Sequence, residues 1–327
     1  MKETLLCCRI TAQEKGLYRL CHDGVEQAAQ VSGKFQYEAL GSSDYPTVGD
    51  EVLADLNGGG QAVIHKVLPR KSLFLRKAAG TAREEQPVAA NVDILFLCMA
   101  LNNDFNLRRL ERYLAAAWNS GATPVVVLTK ADLCGNPSEK VAAVEEAAPG
   151  TDVLLTSAAQ EDGIRPLLPY LTPGRTVAFV GSSGVGKSTL MNGLLGKEIL
   201  ATGGLRNDDR GRHTTTRRQM FFLPGGAALI DTPGMRELGL WDSESGLETA
   251  FADIEALARQ CRFQDCRHEK EPGCAVRAAL ASGELSEERF RSWQRLSAEN
   301  RYADDRAAHM SAKEKKFRMI AQFNKSN

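Results

Sequence analysis

Gly181-Ser182-Ser183-Gly184-Val185-Gly186-Lys187-Ser188, followed by Thr189, has the spacing G-x₄-G-K-S. It follows an apolar, β-branched run over residues 175–180 that reads as a buried parallel strand. Beyond it, residues 188–195 have helix character. Strand, glycine-rich loop and helix in that order form a cradle for phosphate. The glycines let main-chain N–H groups close around the oxygens, and the helix N-terminus adds partial positive charge. In such a cradle Lys187 reaches the β- and γ-phosphates and the Ser188 hydroxyl ligates Mg²⁺.

The base is read elsewhere in the chain. Residues 124–128 form a second buried strand running into Thr129-Lys130-Ala131-Asp132. The two oxygens of the Asp132 carboxylate match the N1–H and N2–H₂ donors of guanine. Adenine offers an acceptor at N1 and nothing at C2, so it leaves the carboxylate partly unpaired, and such a site discriminates strongly. The Lys130 stem packs beside the base, and Thr129 is placed to bond neighbouring loops. Residues 153–155 then lead into Thr156-Ser157-Ala158, where the main chain at Ser157 and Ala158 is placed to meet guanine O6.

Two further elements follow the phosphate loop. Residues 228–230 feed Asp231-Thr232-Pro233-Gly234, in which Asp231 holds Mg²⁺ through water and the Gly234 N–H senses the γ-phosphate. Between them lies Arg212-His213-Thr214-Thr215-Thr216; one of these threonines, Thr214 or Thr215 among them, is expected to close over Mg²⁺. The position after Gly234, where many GTPases carry a water-orienting Gln, is Met235. Slow intrinsic hydrolysis, completed when a partner orders this region, is the expectation, with His213 a candidate to assist. The four elements select GTP and GDP. Their order is permuted, since the base-reading pair precedes the phosphate loop, and circular permutation preserves contacts while moving the chain ends.

Near the C-terminus Cys261, Cys266, His268 and Cys274 are spaced C-x₄-C-x-H-x₅-C. Three thiolates and an imidazole suit one tetrahedral, structural Zn²⁺ with no open position. The remaining five of the eight cysteines are scattered and read as small hydrophobes or free thiols.

These motifs together (the permuted order, residues 181–189, 211–216 and 231–234, and the cysteine–histidine run 261–274) resemble the RsgA (YjeQ) family of bacterial small-subunit biogenesis GTPases. The resemblance covers essentially the whole chain, with Thr129 standing where many members have Asn. It implies a multidomain α/β protein: an N-terminal OB-type β-barrel, a central circularly permuted P-loop GTPase domain and a C-terminal, mostly helical zinc-binding domain. The boundaries expected are 1–85, 86–240 and 241–327. It also implies late action on the small (30S) ribosomal subunit and its rRNA, with GTP-dependent docking and hydrolysis accelerated by that subunit. The alternative is a non-catalytic, nucleotide-gated RNA-binding adaptor.

The N-terminal segment supports a barrel by itself. Short alternating stretches at 4–10, 17–21, 34–39, 51–56 and 62–68 are separated by turns such as Asn57-Gly58-Gly59-Gly60, as five short strands require. A linker is expected near 81–87. Between His65 and Arg83 the charged residues are Lys66, Arg70, Lys71, Arg76, Lys77 and Arg83, a one-signed run suited to an RNA backbone. Net charge is formally zero, so RNA contact must come from such patches, from Arg206 to Arg218 and from the basic tail 313–325, not from bulk charge. No apolar run approaches membrane-spanning length. A cytoplasmic monomer with no membrane partner is expected.

Overall fold

The computed structural model describes residues 5–14, 16–56, 60–77, 85–102, 104–200, 218–232 and 244–301. The chain divides into two compact units, Met1–Gly239 and Leu240–Asn327.

Alternating apolar residues close the first part of the chain into a ring. Strands β1 (Leu6–Glu14), β2 (Leu17–His22), β3 (Val25–Val31), β4 (Glu51–Asp55) and β5 (Ala62–Val67) are joined by the short helix α1 (Gly33–Glu38) between β3 and β4. Antiparallel pairs β1–β2, β2–β3, β4–β5 and β1–β4, with parallel β3–β5, leave no free edge. Ile10, Leu20, Ala29, Val52 and Ile64 fill the interior. This is the expected five-stranded barrel, with one element exchanged. Residues 34–39 are helix, not strand: Ser32 Oγ accepts the Phe35 N–H at 3.1 Å and caps it. The missing strand is β3. Its signal was Asp23-Gly24, with φ of 48° and 80°, the two-residue turn that twists as hairpin strands do; His22 and Val25 pair across it.

The basic run after β5 is partly structural. Arg70 forks onto the buried Asp50 carboxylate, Nε–Oδ1 2.7 Å and Nη2–Oδ2 2.8 Å, and also donates to Ser43 O and Tyr45 O. Lys71 pairs with Asp93 at 2.6 Å. Arg70 is thereby committed to the fold, whereas the Lys71 ammonium, half-exposed in its ion pair, stays within reach of solvent. Residues 85–87 of the expected linker are already strand, β7 (Glu85–Ala90), paired antiparallel with β6 (Leu73–Lys77).

A doubly flanked sheet follows. In chain order it comprises β8 (Ile94–Ala100), α2 (Leu107–Ser120), β9 (Thr123–Thr129), α3 (Pro137–Ala147), β10 (Val153–Leu155), β11 (Thr176–Val180), α4 (Lys187–Leu195), β12 (Arg218–Phe222) and β13 (Ala228–Asp231). The spatial order is β10-β9-β8-β11-β13-β12, parallel except for the β12–β13 hairpin. All seven residues of β8 are buried, as a strand covered on both faces demands. Phe96 and Phe179 meet edge-to-face at 5.2 Å in this core. Parallel pairing puts the ends of β9, β8, β11 and β13 along one edge, where ligands bind in such sheets.

β12 was not expected from sequence. It pairs antiparallel with β1 through Ala12↔Gln219 and Gln13↔Arg218, joining barrel and sheet in one eleven-stranded array. Arg218 is buried there and donates to Pro87 O at 2.5 Å and Gln13 Oε1 at 3.2 Å.

The second unit contains α5 (Glu244–Ala250), α6 (Ala252–Ala258), α7 (Ala275–Ser282) and a helix over 287–301. The break between α5 and α6 falls at Phe251, which is fully buried beneath the Arg289 guanidinium, 4.7 Å from its ring. Arg289 also forks onto Asp253, with both bonds at 2.7 Å. The basic tail 313–325 lies outside the described residues.

Candidate nucleotide site and metal centre

The phosphate loop leaves β11 against β8 with no room to spare. A Cβ at Gly181 would sit 2.5 Å from Cys98 O, so only glycine permits this turn. Gly186 then starts α4. Lys187 Nζ donates to Gly181 O at 2.7 Å and to Ser182 O at 2.8 Å, and so lies over the loop's own main chain. Burial pushes its pKa below the ordinary lysine value, opposed by Cys98, Asp231 and Asp104. Ser183, Gly184 and Thr189 are exposed, Val185 is buried under the loop, and Ser188 stands half-buried on the first turn of α4.

Asp231 ends β13 in register with Phe179 on the adjacent phosphate-loop strand. Burial raises its pKa, and the nearby Lys187 ammonium only partly offsets this. Ser188 and Asp231 fit a Mg²⁺ site: a hydroxyl and a partly buried carboxylate at the ends of neighbouring strand–loop elements, the carboxylate desolvated enough to gain from a cation. When bound, Mg²⁺ neutralises charge on the β- and γ-phosphate oxygens.

The raised pKa has a measurable sign. A native state holding its Asp231 proton above the unfolded value loses that contribution to stability as pH rises through the folded pKa. A ligand needing the carboxylate pulls the other way. Mg²⁺-dependent GDP affinity is therefore expected to weaken on acidification at a pH above that of an ordinary aspartate, about 3.9. Asp231→Asn should flatten this limb and bind more weakly at neutral pH. Calorimetric titration at several pH values checks it, and an identical acid limb in the variant would remove Asp231 from the site.

The base-reading motif grips the phosphate loop directly. Thr129 Oγ1 donates to Val185 O at 2.5 Å, and Lys130 Nζ donates to Gly184 O at 2.8 Å. Thr129 thus bonds the neighbouring loop, as its short hydroxyl side chain suggested. Lys130 takes φ 58°, which turns Ala131 and Asp132 into a tight 3₁₀ turn. Ser157 Oγ donates to Asp132 Oδ1 at 2.5 Å, and the Ala131 N–H reaches Thr156 O at 3.1 Å. Ala158 is exposed beside them. The Ser157 loop closes on Gly163, whose O accepts the Ser157 N–H at 3.0 Å. A Cβ at Gly163 would lie 1.8 Å from Ser157 O, a requirement that sequence reading missed. The order of segments along the chain does not disturb these contacts, because β9 and β11 both run parallel to β8 and end at the same edge of the sheet.

Sequence reading also passed over Asp104, whose Oδ2 accepts the Ser182 hydroxyl at 2.6 Å. The available signal was the polar run Asn102-Asn103-Asp104, just past the end of a fully buried strand. His213, Thr214, Thr215, Gly234 and Met235 lie outside the described residues.

In the second unit Cys261, Cys266, His268 and Cys274 offer ligand atoms all within 4.8 Å of one another. Cys261 Sγ is 3.8 Å from Cys274 Sγ and 3.6 Å from His268 Nδ1, and His268 Nδ1 is 3.4 Å from Cys274 Sγ. A tetrahedron with Zn–S of about 2.3 Å and Zn–N of about 2.0 Å has edges of about 3.8 Å between sulfurs and about 3.5 Å from sulfur to nitrogen. The donor set therefore fits Zn²⁺ in size and in softness. Burial lowers the His268 pKa against the pull of Glu271 and Glu255, favouring the neutral imidazole that ligates metal. Glu271 organises the loop: its carboxylate accepts the N–H groups of Arg267, Glu269 and Lys270 at 2.9, 2.8 and 2.9 Å. These bonds hold it at a pKa of about 2.

Comparison with known proteins agrees with this geometry. The RsgA GTPase family model matches residues 67–241. An ABC transporter model also matches residues 166–323, a stretch that holds the phosphate loop but lacks the base-reading motif. The small ribosomal subunit biogenesis GTPase RsgA 2 of Lactiplantibacillus plantarum is 50% identical over 90% of this chain and 83% of its own. The RsgA of Methanosarcina acetivorans is 45% identical over 94% and 82%. Among solved structures, YjeQ from Thermotoga maritima superposes with a TM-score of 0.67 at 28% identity, covering 90% of this chain and 97% of that one. YloQ, a circularly permuted GTPase, shares the fold with a TM-score of 0.63 at 23% identity over 93% and 96%. With the phosphate loop, the base motif that grips it and the permuted strand order in place, this chain belongs to the RsgA GTPase family of GTP-hydrolysing enzymes.

Proposed function

We propose that the chain hydrolyses GTP during late assembly of the small (30S) ribosomal subunit, binding the subunit and its rRNA in the GTP state and leaving after hydrolysis. The carrying observation is the base-motif grip on the phosphate loop within a permuted sheet, in a chain half-identical to a relative named for small-subunit biogenesis. Lys187 binds the β/γ-phosphates; Ser188, Asp231 and a threonine, Thr214 or Thr215, serve Mg²⁺; the Gly234 N–H senses the γ-phosphate. Asp132, Lys130 and the Ser157–Ala158 loop read guanine. Cys261, Cys266, His268 and Cys274 hold one structural Zn²⁺. The working division is 1–85 for RNA binding, 86–240 for GTP and 241–327 for zinc, in a cytoplasmic monomer.

Met235 supplies no water-orienting amide, so turnover by the free protein should be slow, and His213 is the group we assign to help once a partner orders the switch region. Steady-state hydrolysis with and without purified small or large subunits tests this. The expected result is stimulation by the small subunit alone, reduced at least tenfold by His213→Ala, a usual size for general-base or positioning groups. GTP binding without stimulation by either subunit would point instead to a nucleotide-gated adaptor.

A further inference from the structure

We propose that Asp104 is a positioning residue of the GTPase site, fixing the phosphate loop through Ser182. The inference rests on the nucleotide reading of that loop. Between β8 and α2 the chain makes a tight polar turn: Asn102 Oδ1 accepts the Asp104 N–H at 3.0 Å, and the Phe105 N–H reaches Asn102 O at 3.1 Å. Asn106 caps α2 by accepting the Arg109 N–H at 3.0 Å. The Arg109 guanidinium folds back to Asp104, 2.9 Å from Oδ1, and donates to its main-chain O as well. One carboxylate oxygen is thus committed to Arg109 while the other, Oδ2, receives the Ser182 hydroxyl at 2.6 Å, a short, charge-assisted bond.

The same turn is tied to the base-reading side. The Leu101 N–H donates to Thr129 O at 3.0 Å, and Lys140 Nζ donates to Leu101 O at 2.9 Å while lying 5.2 Å from the Phe105 ring centroid. Phosphate loop and base motif are therefore braced from one point. Ser182 matters beyond its hydroxyl because its carbonyl is one of the two anchors of Lys187; a displaced Ser182 displaces the ammonium that meets phosphate. A carboxylate beside a triphosphate site is electrostatically adverse by itself. Pairing with Arg109 offsets that charge, which makes sense of an acid here only if it serves as an anchor.

The test compares fluorescent GDP and GTP affinity for the full chain with Asp104→Ala, Ser182→Ala, the double variant and Asp104→Asn, with melting of the nucleotide-free proteins as a fold control. Losing one hydrogen bond to a charged group should weaken affinity about tenfold or more in each Ala variant. Because both remove the same bond, the double variant should be no weaker than the weaker single. Asp104→Asn keeps an oxygen to accept the Ser182 hydroxyl and should recover most of the affinity, a rescue that a purely space-filling role would not give. Wild-type affinity in Ser182→Ala, or multiplying losses in the double variant, would overturn the proposal. If Asp104→Ala does not fold, Ser182→Ala against Asp104→Asn decides the matter by the same criteria. Lys187→Ala is the control for the underlying reading: wild-type binding in that variant would remove the nucleotide site itself, whereas its loss beside intact Ser182→Ala binding would remove only Asp104's role.

Discussion

Lys187→Ala is expected to remove GTP binding at micromolar nucleotide while leaving the protein folded. Its ammonium is half-buried, and its only hydrogen bonds among the described residues are to the loop carbonyls of Gly181 and Ser182. Burial already disfavours its charged form, so the side chain gives the ligand-free fold little. Against a triphosphate it makes charge-assisted contacts worth about 1.5–3 kcal/mol apiece, and losing two of them lowers affinity by more than about a hundredfold. Hydrolysis should fall by roughly 10²–10³ as well, the usual cost of deleting a donor aimed at transition-state charge. Equilibrium binding, single-turnover hydrolysis and a melt of the nucleotide-free protein check all three. Turnover at the wild-type rate would overturn the assignment of this loop.

Removing zinc should unfold the second unit selectively. Among the described residues its apolar core is small, built largely from Leu247, Phe251, Ile254, Val276, Phe290 and Leu296, and a core of that size gains much from a metal staple. The four candidate ligands join the end of α6 to the start of α7, where Cys274 caps the helix through the Arg277 N–H. Apparent zinc binding energies of about 10–16 kcal/mol in small metal domains exceed what such a core supplies. After chelation, or in Cys261→Ser, hydrogen exchange should speed up through α7 and residues 287–301 while β8 and β11 stay protected. The metal content must be measured alongside. Complete loss of zinc with unchanged exchange in α7 would mean that the cluster is not structural.

Misreadings in the barrel have a common cause. Residues 34–39 alternate Phe35 and Tyr37 with polar neighbours, the pattern of a half-buried strand. Yet Tyr37 is 90% exposed, and what settles the segment is the Ser32 cap together with an inner face already filled by β3. The run from Lys66 to Lys77 reads as one electropositive stripe only until Asp50 and Asp93 are brought to Arg70 and Lys71. Those acids lie about twenty residues away on either side. A window of sequence registers the charges and omits their partners.

The sequence by itself pointed to the family and to its candidate chemistry: the phosphate-loop spacing, the proposed guanine motif, Asp231 and the cysteine–histidine set. Each depends on short spacings that local geometry fulfils, because a glycine turn after a buried strand or four donors within one loop need no distant partner to be recognised. The tertiary structure alone decided how those pieces are held. Thr129 and Lys130 clasp carbonyls more than fifty residues away, Asp104 anchors Ser182 across seventy-eight, and β12 finds β1 across the whole first unit. Such contacts arise when sheet pairing, parallel from β10 to β13 and antiparallel between β12 and β1, gathers distant segments, and that pairing is set by the burial of entire faces, a property of no single segment.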